Sequence, residues 1–96
     1  MTYSIQELIK QRRSQMLVHS YLYYHLNTNI ISDDRWQHLA NDLTKLQAEH
    51  KEPIGFYDED FENWDGSTGC HLSKDEWVSE KAERLLRLHE KQQDNR

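Results

Sequence analysis

The chain has 96 residues, with 12 basic and 17 acidic side chains and a formal net charge of −5. This length allows a single domain with a thin core and excludes a self-sufficient multidomain enzyme. No apolar segment approaches the about 18 residues that a membrane span needs, and a net acidic chain is poorly suited to direct DNA binding. The single cysteine cannot form an internal disulfide, which is consistent with a cytoplasmic location.

The first predicted helix covers residues 4–26, where neither glycine nor proline interrupts the chain. Its apolar side chains recur at helical spacing; they are Ile5, Leu8, Ile9, Met16, Leu22 and Tyr23. The polar tripeptide Asn27-Thr28-Asn29 then predicts the end of this helix and a turn.

The second predicted helix starts at Ser32, a favoured N-cap residue, and is expected to end near His50. Asp33 and Asp34 lie in its first turn, where carboxylates favour the positive end of the helix dipole. An apolar stripe at spacings of three and four follows; it consists of Trp36, Leu39, Ala40, Leu43 and Leu46.

A third helix is predicted at the C-terminal end of the sequence. Ser73 and Glu76 have the spacing of a capping box, and Leu72 and Trp77 occupy the positions of a hydrophobic staple. The sequence therefore predicts one all-α domain over residues 1–96, made of a helical hairpin, an acidic aromatic loop and a C-terminal helix at residues 4–50, 51–71 and 72–92.

The acidic loop, residues 51–71, contains one basic and six acidic side chains and so holds the whole net charge. One hypothesis is that it binds a basic partner protein through Asp58, Asp60, Phe61 and Trp64. The alternative is that its aromatic side chains, Phe61 and Trp64 among them, fix an irregular loop to the helices.

No metal site is predicted. An EF-hand that began at Asp58 would need a glycine where Asn63 stands and a glutamate where Gly69 stands. The six histidines show no metal-binding spacing, and Cys70 and His71 are adjacent rather than spaced as ligands.

The corner between the first two helices combines aromatic and acidic residues. Flat aromatic faces beside carboxylates suit a planar, partly cationic ring that bears a hydroxylated sugar, as in a nicotinamide nucleotide. The alternative is that the aromatic residues form the core of the hairpin. The residues of this aromatic corner are Tyr21, Tyr23, Tyr24, Asp33, Asp34 and Trp36.

Residues 19–39, HSYLYYHLNTNIISDDRWQHL, resemble the N-terminal helical subdomain of bacterial NAD-dependent DNA ligases. The ligase pattern is a Tyr-Tyr/Leu-Tyr-His run, a turn with Asp and Pro, and then Ile-x-Asp-x-x-Tyr-Asp-x-Leu. The gap lengths agree without insertion, and a weaker likeness extends over residues 4–50. The whole chain is also similar to small phage or prophage proteins described as ligase-related, which share the Asp-Gly-Ser-Thr-Gly loop at residues 65–69.

In those ligases the subdomain closes over the nicotinamide mononucleotide (NMN) half of NAD and assists self-adenylation. By position, Tyr23 and Asp33 match ligase residues, and Trp36 replaces a tyrosine. Tyr24 stands where the ligases have histidine, and Gln37 stands where they have a second aspartate. The resemblance therefore implies a nicotinamide-nucleotide site made of these five residues.

The sequence contains no Lys-x-Asp-Gly motif and no room for a nucleotidyltransferase domain, so we expect no catalytic activity and no required cofactor. The leading hypothesis is an accessory protein of phage origin, in the cytoplasm of a bacterial host, that binds a partner protein through its aromatic and acidic surface. The alternative is a module that binds NAD or NMN beside a separate protein, or that sequesters the nucleotide. Spare aromatic side chains over a thin core would also permit a homodimer.

Overall fold

The computed structural model describes residues 4–28 and 30–94 and contains three helices there, α1 (Ile5–His25), α2 (Asp33–Glu49) and α3 (Glu76–Asp94). The predicted all-α class, a helical hairpin followed by a third helix, is confirmed. The turn residue Asn29 and the ends of the predicted domain, residues 1–3 and 95–96, lie outside the described residues. None of the described helices combines the length and apolarity needed to cross a bilayer.

Serine caps fix the starts of α1 and α2. The Ser4 Oγ accepts a hydrogen bond from the Glu7 N–H at 3.2 Å, and the Ser32 Oγ accepts one from the Arg35 N–H at 3.1 Å. Each bond satisfies one of the backbone donors that a helix start leaves unpaired. The predicted N-cap at Ser32 is confirmed.

The turn after α1 uses a left-handed backbone position. Asn27 has a φ of 51°, a conformation that asparagine tolerates better than most residues. The following residue, Thr28, donates its N–H back to the Leu22 carbonyl at 3.0 Å. This reversal sends the chain from α1 toward α2 and confirms the predicted stop at Asn27 and Thr28.

The start of α3 differs from the predicted one. The helix begins at Glu76, and Asp75 caps it, because the Asp75 Oδ1 accepts from the Val78 N–H at 3.0 Å. The predicted capping box between Ser73 and Glu76 is therefore wrong. An aspartate two residues further along supplies an equally good N-cap acceptor.

Contacts from the loop explain why Asp75 is the cap. The Tyr57 hydroxyl donates to the Asp75 Oδ2 at 2.7 Å, which holds this carboxylate in place. Burial, this hydrogen bond and the nearby negative charge raise the pKa of Tyr57 to about 12. Upstream, the Ser73 N–H donates to the Asp60 Oδ2 at 2.7 Å and so is engaged with the loop.

The core lies around α1, which packs against both α2 and α3, whereas the backbones of α2 and α3 do not approach each other. Its largest fully buried side chains come from all three helices and the loop; they are Ile9, Met16, Leu17, Leu22, Leu43, Phe61 and Val78.

The loop is part of this core. Phe61 is 1% exposed and Trp64 is 8% exposed, and the Trp64 Nε1–H donates to the Ala40 carbonyl at 3.3 Å. Both side chains are therefore part of the core, which gives no support to the prediction that they contact a partner protein. The alternative, that aromatic residues fix the loop to the helices, is confirmed.

Candidate functional site

A cavity of about 200 Å³ lies between the C-terminal half of α1, the turn and the first turns of α2. The five residues that the sequence predicted for a nicotinamide site all line it, so Tyr23, Asp33 and Trp36 converge. Tyr21 instead packs against the core. The residues of this corner cavity are His19, Tyr23, Tyr24, Thr28, Ile30, Ile31, Asp33, Trp36 and Gln37.

Helical spacing brings these residues together. His19 and Tyr23 are four residues apart on α1, and Asp33 lies three and four residues before Trp36 and Gln37 on α2. Residues at these intervals are neighbours on one face of a helix. The hairpin then directs the two faces toward a common space.

Two tyrosines form the open side of the cavity. Tyr23 is 46% exposed and Tyr24 is 39% exposed, and their rings meet edge to face with centroids 4.9 Å apart. The Tyr24 hydroxyl lies 3.2 Å from the Thr68 Oγ1 in the loop. A ligand would therefore enter past an aromatic edge that the loop already holds on one side.

Trp36 forms the inner wall. Its indole Nε1–H donates to the Ser20 Oγ at 3.4 Å, and its ring packs against the core. Ser20 itself is 2% exposed, so the atom that orients this indole is fixed within the fold. The flat face of Trp36 is therefore set before any ligand binds.

Gln37 is held by the loop and by its own helix. Its Nε2 donates to the Gly66 carbonyl at 2.9 Å and to the Asn41 Oδ1 at 3.0 Å. Both amide protons are thus used within the chain. What Gln37 can offer a ligand is its carbonyl oxygen, which accepts hydrogen bonds from hydroxyl or amide groups.

Asp33 is the negative charge of the cavity. It is exposed and forms no ion pair with any residue among 4–28 and 30–94. It lies in the first turn of α2, at the positive end of the helix dipole. Asp33 therefore offers a free counter-charge and a hydrogen-bond acceptor to a cationic or hydroxylated ligand.

His19 was not predicted as a site residue. Burial, and then the positive charge of Arg35, lower the pKa of His19 below its usual 6.5. The imidazole is therefore neutral at pH 7 and presents one donor and one acceptor. The four-residue interval between His19 and Tyr23 was the sequence signal that could have identified it.

The lowered pKa of His19 predicts a loss of stability in mild acid. Because the unfolded chain binds a proton at His19 more readily than the folded chain, the free energy of unfolding should decrease as the pH falls below 6.5. Urea unfolding at pH 7.5 and at pH 5.5 measures this difference. His19→Gln should reduce the difference, whereas His38→Gln, at an exposed position on α2, should not; equal effects of the two variants would contradict the assignment.

The two acidic residues predicted to bind a partner are engaged within the chain. The Asp58 Oδ1 accepts from the Arg13 Nη1 at 2.7 Å, and this bond is the main reason why the pKa of Asp58 is lowered. The Asp60 Oδ2 accepts from the Ser73 N–H. Their carboxylates hold the loop in its fold, so the prediction that they contact a partner loses its structural basis.

No group of three or more His, Cys, Asp or Glu side chains is arranged to hold a metal ion in the part of the chain that the structure describes. In comparisons with known proteins, no family model, no curated protein and no solved structure matches this chain. The fold and the cavity define a small all-helical protein with an aromatic, solvent-open pocket, and its function is inferred from that pocket.

Proposed function

We propose that this protein is a non-catalytic module that binds the NMN half of a nicotinamide nucleotide in the corner cavity, beside a separate protein. The observation that supports this most is the convergence of Tyr23, Tyr24, Asp33, Trp36 and Gln37 on one cavity. They are the same five residues that the resemblance to the ligase subdomain implies for a nicotinamide-nucleotide site.

The chemistry of the cavity suits an oxidised nicotinamide ring. Tyr23 and Trp36 provide aromatic faces that attract a cation, and Asp33 provides a negative charge that forms no ion pair within the described residues. The Gln37 carbonyl oxygen and the Asp33 carboxylate accept hydrogen bonds from ribose hydroxyls or a carboxamide. A neutral ring of the same size would lose the attraction to both Asp33 and the aromatic faces.

The size of the cavity indicates part of a nucleotide rather than a whole dinucleotide. Its volume of about 200 Å³ is below the about 300–1,000 Å³ typical of pockets that enclose a drug-sized ligand. A ring and part of a sugar would fill it, and the rest would project past the exposed tyrosines. We therefore propose that a second protein covers the open side and raises an affinity that is weak for the isolated chain.

Titration with NMN tests the proposal. We expect millimolar binding, followed as chemical-shift changes at Tyr23, Asp33 and the Trp36 indole. Asp33→Asn should weaken binding by about tenfold, because it removes the counter-charge to the ring. Asp34→Asn is the matched control, since Asp34 is the exposed neighbour outside the cavity lining and should leave binding unchanged.

The reduced mononucleotide supplies a second comparison. Its ring is uncharged, so the native chain should prefer the oxidised form, and Asp33→Asn should diminish that preference. A flat titration with millimolar NMN would reject nucleotide binding by this chain. Equal losses of affinity for the Asp33 and Asp34 variants would reject the assigned role of Asp33.

A second candidate function, binding of a partner protein through the aromatic corner, is favoured by the exposure of Tyr23 and Tyr24. Both are large side chains that are more than a third exposed and adjacent on α1. In this version the same tyrosines contact a protein instead of a nucleotide. Tyr23→Ser would then weaken capture of the partner while NMN produces no shifts.

A further inference from the structure

We propose that a groove between α1 and α3 docks an acidic, amphipathic helix of a partner protein. This α1–α3 groove has a volume of about 520 Å³, and its lining comes from those two helices. It is lined from α1 by Ser14, Gln15, Val18 and His19, and from α3 by Trp77, Lys81, Arg84, Leu85 and Leu88.

The apolar part of the groove has the spacing that a helical ligand would match. Trp77, Leu85 and Leu88 lie on one stripe along α3, and the cationic Lys81 stands between Trp77 and Leu85, four residues from each. Leu88 is 52% exposed. Grooves of this kind accept the apolar face of an amphipathic helix, whose side chains at i, i+4 and i+7 enter along the stripe.

The charge of the groove lining indicates the sign of the charge on its partner. Two of the nine lining residues, Lys81 and Arg84, are cationic and none is acidic, although the whole chain has a net charge of −5. The Lys81 Nζ lies 5.8 Å from the centre of the Trp77 ring, so this cation extends along the groove wall. Carboxylates flanking the apolar stripe of a partner helix would meet these two cations, which favours an acidic occupant over a basic one.

A second copy of this chain is a poorer occupant. A twofold dimer presents the same patch on both subunits, so two grooves facing each other would bring Lys81 and Arg84 of one copy toward those of the other. No carboxylate lines the groove itself, and the nearest ones on α3, Glu80 and Glu83, lie outside it. Like charges at such a contact oppose association.

The groove adjoins the corner cavity through one residue. His19 lines both, so a helix docked against α1 and α3 would lie beside the cavity wall. The docking itself does not depend on which ligand the cavity binds.

The test uses the full chain and a synthetic helical peptide of about 20 residues, with leucine at i, i+4 and i+7 and glutamate on both flanks. Fluorescence anisotropy measures affinity, and the Trp77 indole resonance reports the site. We expect Arg84→Glu and Leu88→Ser each to weaken binding about tenfold, since one reverses a cation and the other removes an apolar contact. Lys45→Glu reverses an exposed cation on α2, outside the groove, and should have little effect.

A peptide with lysine in place of each glutamate provides the charge control and should bind at least tenfold more weakly. Equal binding of the two peptides, equal effects of Arg84→Glu and Lys45→Glu, or no shift at Trp77 with millimolar acidic peptide would overturn the proposal. Sedimentation of the chain alone tests the competing occupant. A dimer that Leu88→Ser dissociates would assign the groove to a second copy instead. All these outcomes are independent of NMN, so they separate this proposal from nucleotide binding.

Discussion

Replacing Arg13 with alanine should lower the free energy of unfolding by about 2–4 kcal/mol, a large part of the about 5–15 kcal/mol typical of a domain. Arg13 is 6% exposed, and its Nη1 donates to the Asp58 Oδ1 and the Phe56 carbonyl, both at 2.7 Å. Its Nε donates to the Gln47 Oε1 at 2.8 Å, and the guanidinium lies 5.3 Å from the centre of the Phe61 ring. Its loss would therefore remove the hydrogen bonds that it makes from α1 to both α2 and the loop.

Arg12→Ala is the matched control for this variant. The Arg12 Nε lies 3.5 Å from the Asp42 Oδ2 in a partly exposed pair, which is expected to contribute at most about 1 kcal/mol. Arg13→Lys should be intermediate, because an ammonium retains the charge but cannot reach three separate acceptors in the same geometry. Urea unfolding followed by circular dichroism measures all three variants, and similar losses for Arg12→Ala and Arg13→Ala would contradict the assigned role.

The helix starts show what local sequence can predict. The Ser32 cap bonds to an N–H three residues away, so the information that places it lies within one turn. The start of α3 depends instead on Tyr57, which bonds to Asp75 from 18 residues upstream. Serine and aspartate both favour the N-cap position, so the residue types at 73 and 75 do not decide the start of α3, whereas the packed loop does.

The acidic loop shows what amino-acid composition cannot predict, namely which of its side chains are free to bind a partner. Its six carboxylates suggested a charged docking surface, yet Asp58 is bonded to a buried arginine 45 residues earlier in the chain. The sequence alone also does not determine whether the Phe61 and Trp64 side chains are exposed or buried. Contacts between residues far apart in the sequence determine both the pairing of Asp58 and the burial of the two aromatic side chains. No local sequence pattern contains that information.

The candidate site was more predictable because its residues come from two regular helices joined by a short turn. The resemblance to the ligase subdomain implied five of these residues by position, and the hairpin of α1 and α2 brings all five to the corner cavity. The α1–α3 groove could not be found in this way. It depends on how α3 lies on α1, and the loop that sets this position has no regular repeat.

The loop also supports the cavity, which is why a change at Gly69 should affect both stability and binding. A Cβ at Gly69 would overlap the Ser20 Oγ and would lie 2.9 Å from the Ser20 Cβ and 3.3 Å from the Trp36 Cζ2. Ser20 is buried on α1 and cannot move aside freely. Gly69→Ala should therefore lower the free energy of unfolding by about 1–3 kcal/mol and displace the Trp36 indole, weakening NMN binding. Urea unfolding and NMN titration measure the two effects.

Gly55→Ala separates the loss of stability from the loss of NMN binding. Gly55 has a φ of 79°, so alanine there should cost about 1–2 kcal/mol in backbone strain, but its Cβ would meet no atom within 4 Å. This variant should lose stability and keep the NMN affinity of the native chain, because the strain lies far along the loop from Trp36. If Gly69→Ala and Gly55→Ala weakened NMN binding equally, contact between the loop and Trp36 would not be what shapes the cavity.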